Sequence, residues 1–279
     1  MNDEIIHLSE IPATLLEHAI KEISNYSIGF AQVTNGPYRQ EVFLRGSGTL
    51  MAVGGKRAIL TADHVVDNLP RDGRLGLILS PTRQQYTIDT QGLVFLRIAR
   101  GTDDSKGPDL GAVILSPSIA SAIGAIKSFY NLDIRRERML SVPPDRDLGA
   151  CAVHGFIDEN TVEEPGDSGF SHIVRFYCLT GWCGADPAVS IDGYDYHTFP
   201  VSYGSRSIAP ASFKGMSGGG LWQVPLVRDA HEILTHQTPL LAGLVFYQVP
   251  TTETDAGVTC HGAVSIYRIA YDAIQNSAA

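Results

Sequence analysis

The sequence predicts an all-β chain: two antiparallel β-barrels of six strands each, with one helix ahead of them and a short helix behind. Three observations predict it. Short apolar runs of strand length recur from residue 27 onward. Twenty-eight glycines and fifteen prolines are spread between those runs, which favours many turns over long helices. Helical spacing of apolar residues marks residues 9–25, and a segment at 117–129, a helix or connecting arm, divides the strands into two groups. At 279 residues and 44% hydrophobic content, the chain has enough apolar material for one substantial core or two modest ones.

Residues 9–25 open the chain as an amphipathic helix, with Ser9 as its cap and Pro12 in its first turn. Leu15, Leu16, Ala19, Ile20 and Ile23 fall on one face, which packs on the body. Strands follow at 27–33, 42–53, 57–60, 75–79, 86–88, 93–99 and 110–115. That is about the count of a first small barrel, whose closure removes exposed edges. Segment 117–129 reads as a helix or connecting arm. Strands at 149–156, 171–179, 198–201, 219–224, 240–247 and 263–267 supply a second barrel, and a short helix ends the chain. The expected division is 1–25, a helical extension; 26–128, the first barrel with its linker; and 129–279, the second barrel and C-terminal helix.

The stretch Lys214-Gly215-Met216-Ser217-Gly218-Gly219-Gly220 carries chemistry. A serine hydroxyl is a poor nucleophile until a base takes its proton and donors hold the oxyanion that forms. Glycines on both sides permit a tight turn that aims backbone N–H groups at a carbonyl. His64, in Thr61-Ala62-Asp63-His64, follows the apolar run Ala58-Ile59-Leu60 and stands just past a strand end. Asp109 stands directly before the apolar run Leu110–Leu115, at a strand mouth from which a carboxylate orients an imidazole. The chain order is histidine, aspartate, serine.

In these boxes the chain resembles the trypsin-like, chymotrypsin-fold serine peptidases, in particular their bacterial intracellular branch. Thr61-Ala62-Asp63-His64 is similar to the T-A-x-H box, Asp109-Leu110-Gly111-Ala112-Val113 to the D-[IL]-A-[LV] box with an extra glycine, and Gly215-Met216-Ser217-Gly218-Gly219 to the G-x-S-G-G box. The resemblance spans roughly residues 27–271. It implies barrels of the chymotrypsin type, with His64 as general base, Asp109 as its orienter and Ser217 as nucleophile. The backbone N–H groups of Gly215 and Ser217 become the oxyanion hole. The substrate pocket falls on Ala211, Ser212 and Phe213, with a back wall of Phe246, Tyr247 and Gln248. No acid stands among those six residues, so a small or neutral apolar side chain is expected ahead of the scissile bond, in preference to Arg or Lys. Met216 replaces the acid that pairs with a freshly cut N-terminus in zymogen-activated relatives, which points to control by a protein partner or by substrate supply.

A second serine, in Gly166-Asp167-Ser168-Gly169, matches the textual signature of digestive peptidases more closely. Its position argues against it: too few residues separate it from Asp109 to build the strands of a second barrel, and the segment reads as a hairpin turn. The nucleophile-elbow esterases place serine before acid and histidine, the reverse of the order here. The rival from another class is a peptidase fold without activity that serves as a binding or sensor protein.

Net charge of −9 argues against nucleic acid and anionic membrane as partners, leaving a protein or peptide substrate and a possible protein activator or dedicated partner. The opening Met1-Asn2-Asp3-Glu4 lacks the basic and apolar pattern of a signal peptide, so the expected location is cytoplasmic. Four cysteines fit a reduced compartment. Cys151, His154, Cys178 and Cys183 have loosely zinc-like spacing, but small buried strand residues are the better reading, and no metal or cofactor is expected.

Overall fold

The computed structural model describes residues 8–35, 40–80, 86–101, 107–142, 149–165, 172–183, 188–202, 210–228, 233–249 and 255–278. Ser168 lies outside them. The first helix is α1 (Ala13–Ser24), preceded by a single 3-10 turn at Leu8–Glu10 that contains Ser9. Ser9 therefore does not cap α1; Pro12 occupies the cap position with φ −55° and ψ 132°. The pyrrolidine ring bars α geometry at the preceding residue, so the helix begins after it. Leu15, Ala19 and Ile23 form its buried stripe.

The first half runs β1 (Ser27–Asn35), β2 (Gln40–Val53), β3 (Lys56–Thr61), α2 (Asp63–Asn68), β4 (Arg74–Ile78), β5 (Tyr86–Asp89), β6 (Val94–Ala99) and β7 (Leu110–Ile114). Then come α3 (Pro117–Gly124), β8 (Tyr130–Asn131) and α4 (Arg136–Ser141). Ser116 caps α3 through its hydroxyl, and Pro117 starts it. The sheet order is β5-β4-β1-β2-β3-β7-β6, antiparallel throughout, with β8 pairing parallel to β2. Its two edge strands, β5 and β6, are consecutive in the chain and only residues 90–93 separate them. The buried residues of β2 run without alternation from Gly46 to Val53, because both faces are covered. β8 lies past the expected boundary at 128 and yet pairs with the first sheet.

The second half runs β9 (Gly149–Pro165), β10 (His172–Cys183), β11 (Val189–Ile191), β12 (Tyr194–Ser202), β13 (Gly220–Arg228), β14 (Leu234–His236), β15 (Leu240–Val249) and β16 (Asp255–His261). These make a second antiparallel sheet of order β10-β9-β13-β15-β16-β12-β11, with β14 on β13. A π-helical stretch, Ser265–Ala270, leads into α5 (Tyr271–Asn276).

One core joins the halves. Met51, Leu60 and Ile114 of the first sheet meet Trp222, Leu241 and Leu244 of the second, with Ala19 of α1 and Ile274 of α5 in the same cluster. At its centre Tyr26 stacks on Trp222 at 5.5 Å, and Tyr130 meets both rings edge-on at 5.4 and 5.3 Å. The buried phenols are satisfied: Tyr130 accepts from the Leu241 N–H, and Tyr267 donates to the Leu241 carbonyl.

The run at 263–267 departs from expectation. Residues 263–267 were expected as the last strand; the strand is β16, and the chain is helical from Ala263. The β-branched and aromatic run Val264-Ser265-Ile266-Tyr267 has strand propensity, which tertiary contacts override. The Asp195 carboxylate accepts from the N–H of Val264 at 2.9 Å and from the N–H and hydroxyl of Ser265 at 2.8 Å each, satisfying the orphan donors of a helix start. Ile266, Ala270 and Ile274 then fall at intervals of one turn into the shared core. Asp195→Ala should therefore lower stability by about 2 kcal/mol, read as an earlier urea midpoint at unchanged slope. An unmoved midpoint would refute the cap.

Candidate active site

His64 sits in the first turn of α2, a helix of six residues whose cap position, Ala62, supplies no side-chain hydrogen bond. Tertiary contacts hold so short a helix in place. Arg97 of β6 grips Asp63 with two parallel hydrogen bonds, 2.8 and 2.7 Å, and pairs with Asp67 one turn on. Gly111 of β7 lets α2 lie close: a Cβ there would stand 2.7 Å from the Val66 side chain and 3.2 Å from the Asp63 Cα. The extra glycine in the acid box thus has a packing reason.

Asp109 completes the assembly. Its Oδ1 accepts the His64 backbone N–H at 3.0 Å, capping α2 from outside, and its Oδ2 lies 2.5 Å from His64 Nδ1. The acid is 13% exposed and the imidazole 49%, so a shielded carboxylate faces a ring whose other nitrogen is open to a cleft.

The turn bearing Ser217 is held by its carbonyls. The Lys214 carbonyl accepts from the Asp158 N–H at 2.9 Å, that of Gly215 from the Ser47 hydroxyl at 2.8 Å, that of Met216 from the Gly219 N–H at 2.7 Å and that of Ser217 from the Ser47 N–H at 2.8 Å. In a trans peptide the N–H lies opposite the carbonyl. Pinning the Lys214 and Met216 carbonyls therefore leaves the N–H groups of Gly215 and Ser217 facing the other way, and neither has an acceptor among the described residues. Met216, Gly218 and Gly219 each spend their N–H internally. Gly218 has φ +91°, and a Cβ there would sit 2.0 Å from the Ser47 carbonyl oxygen, so this position requires glycine. Ser47 was missed in the sequence; its signal is the small-residue run Gly46-Ser47-Gly48 inside a strand.

His64 and Ser217 line one cleft of about 230 Å³. Its walls are largely apolar, from Phe213, Met216, Val245, Phe246, Tyr247 and Val258. Of the six expected substrate contacts, Phe213, Phe246, Tyr247 and Gln248 line it, whereas Ala211 and Ser212 do not. Ala211 instead donates its N–H to Glu159, and the Ser212 hydroxyl accepts from the Lys214 N–H. Met216, Val245 and Val258 were not anticipated; Val258 is brought in by its register opposite Gln248. The Gln248 side chain, which lines the cleft with Phe213, accepts the Phe213 N–H at 2.8 Å. Lys214 joins the rim, paired with Asp158 at 2.7 Å. The Ser217 hydroxyl donates to the Phe246 carbonyl at 3.3 Å.

Cys151 and His154 lie three residues apart in a regular part of β9, so alternation sends them to opposite faces. Cys151 and His154 therefore do not converge on one site, and the side chain of Cys183 lies outside the described residues. Among the described residues no cluster of three or more such side chains is arranged to hold a metal. Among them, too, no helix is long and apolar enough to cross a membrane. Compared with known proteins, the chain matches no family model and no curated sequence.

Two buried histidines stand beside these features. Burial lowers the pKa of His154, bonded to Thr180, to about 4 and that of His261 to about 4. Both are neutral in the folded chain and take up protons only on unfolding as the pH drops below the ordinary value of 6.5. Stability contributed by their neutrality is thus full above pH 6.5 and drains away down to about pH 4. Across that window the unfolding free energy should fall by up to about 1.4 kcal/mol per pH unit for each histidine. In His154→Gln the proton uptake on unfolding, measured by urea titration at successive pH values, should shrink by about one. Unchanged uptake would refute this origin.

Proposed function

We propose that the chain is a serine endopeptidase of the trypsin-like type. The observation that carries the proposal is the imidazole of His64, held by Asp109 at 2.5 Å, facing the same cleft as Ser217 beside two backbone N–H groups that have no acceptor among the described residues. Strand pairing supports the fold assignment. If β5 and β6 count as one kinked strand, the first sheet pairs as a ring of six, 1-2-3-6-5-4 and back to 1. In the second half β9, β10, β12, β13, β15 and β16 repeat five of those six links, and β10 touches β12 where the sixth would be. Two six-stranded barrels of one topology are the simplest account of that repeat.

In the proposed reaction Ser217 Oγ attacks the peptide carbonyl carbon while His64 Nε2 takes its proton. Asp109 fixes the ring through Nδ1–H and stabilises the imidazolium. The carbonyl oxygen, now an oxyanion, accepts from the N–H groups of Gly215 and Ser217. His64 returns the proton to the departing amine, leaving an ester on Ser217. Water, deprotonated by the same imidazole, then hydrolyses the ester and restores the hydroxyl.

The substrate is a protein or peptide with a small or neutral apolar side chain in the cleft. No carboxylate lines it among the described residues, so Arg and Lys would be buried without a counter-charge. The buried Met216 leaves no acid for zymogen-type activation, which favours control by a partner protein or by substrate supply. A binding or sensor role without turnover is the second reading, favoured by the Ser217 hydroxyl bonding to Phe246 instead of His64.

A fluorophosphonate probe separates the two. Labelling should map to Ser217, vanish in Ser217→Ala and fall by about 10⁴ in Asp109→Asn; a folded wild-type chain that never labels supports the binding role. Truncating this cleft-lining side chain in Gln248→Ala should raise kcat/KM for large apolar side chains over small ones by about tenfold or more. A peptide library cleaved chiefly after Arg, or a preference unmoved by Gln248→Ala, would overturn the pocket assignment.

A further inference from the structure

The short segment Gly107–Asp109 brings the acid to the site, and residues of the second sheet support it. A Cβ on Gly107 would stand 2.7 Å from the Tyr196 ring of β12, so this backbone lies directly on that ring. At Asp109 itself, His261 Nε2 of β16 lies 3.2 Å from both the backbone N and the backbone O. A neutral imidazole serves one of these at a time, accepting from the N–H or donating to the carbonyl.

His261 is fully buried. Its ring is packed by Phe246 at 4.5 Å, Tyr196 at 5.3 Å and Tyr194 at 6.0 Å between centroids. Nδ1 has no hydrogen-bond partner among the described residues, so the Asp109 backbone is the ring's polar contact. The charged side chains acting on it are Asp109 and Asp195. A buried nitrogen without a partner is costly, and phenylalanine would fill this aromatic box without that penalty. Packing in the aromatic box therefore gives no reason for a histidine here.

Position does. The same ring rests on Phe246, which lines the cleft and whose carbonyl accepts the Ser217 hydroxyl. We propose that His261 is a positioning residue: its Nε2 ties the main chain of Asp109 to the wall that carries Phe246, setting the acid, and through it His64, in register with Ser217. The catalytic consequence rests on the peptidase reading; the positioning itself does not. Misplacements of about 1 Å at such sites cost on the order of 10²-fold in rate.

Two substitutions separate polar contact from packing. His261→Phe keeps the ring and removes its nitrogens; His261→Gln reaches about as far as Nε2 and carries both a donor and an acceptor. In folded variants, the low-field proton resonance of His64 Nδ1–H, assigned by its loss in His64→Ala, should persist in wild type and His261→Gln and be lost in His261→Phe. Fluorophosphonate labelling of Ser217 should fall about 10- to 100-fold in His261→Phe and recover in His261→Gln. An unchanged resonance in His261→Phe, or a Gln variant as impaired as Phe, would overturn the proposal. Should wild type never label while the resonance follows the expected pattern, the positioning role stands and the peptidase reading falls.

Discussion

The contact on which the site depends is the clasp between β2 and the glycine turn at Gly215–Gly218. Ser47 donates its N–H to the Ser217 carbonyl and its hydroxyl to the Gly215 carbonyl, and that hydroxyl also accepts the Phe156 N–H at 2.8 Å. Thr49 adds a bond to the Gly218 carbonyl, and Thr61 braces the Ser47 carbonyl. All are buried or nearly so, where each unmade bond costs its full desolvation penalty. A turn rich in glycine has the most conformational freedom to lose. Cross-sheet hydrogen bonds are what restrict it to one geometry.

The first sheet thereby shapes the turn of the second, and the second returns the support at Asp109. Neither the base nor the acid stands on an element able to hold itself. α2 is too short to persist alone, and Gly107–Asp109 is irregular backbone. Rigidity comes from contacts at both ends: Arg97 and Gly111 beneath α2, Tyr196 and His261 beneath the acid. Such reciprocal dependence explains why one core, centred on Tyr26, Tyr130 and Trp222, runs through both halves and recruits α1 and α5.

Much of this was legible beforehand. The strands at β1, β3, β4, β6 and β7 emerge within a residue or two of their apolar runs, because a strand buried on its inner face must carry that pattern. Phe213, Phe246, Tyr247 and Gln248 were placed on the cleft. The misses share one cause, a distant partner overriding a local preference. The Asp195 carboxylate turned a strand-like run at 264–267 into helix, and Glu159 drew the Ala211 backbone away from the cleft; the late start of α1 is the exception, a local effect of Pro12 on Ile11. Ser47 left only the small-residue run Gly46-Ser47-Gly48, and His261 left no legible mark, because a histidine at a strand end is ordinary until its partners are known.

By itself the sequence determined the all-β character, the division into two groups of strands and the order His64, Asp109, Ser217, since periodicity, turn residues and motif spacing are local properties of the chain. Tertiary structure alone decided that Asp109 reaches both the N–H and the ring of His64, that the Gly215 and Ser217 N–H groups find no acceptor among the described residues, and that a buried His261 touches the acid's backbone. Those are contacts between residues tens to hundreds of positions apart. Closing such separations depends on the whole core, and no local pattern encodes the distances that result.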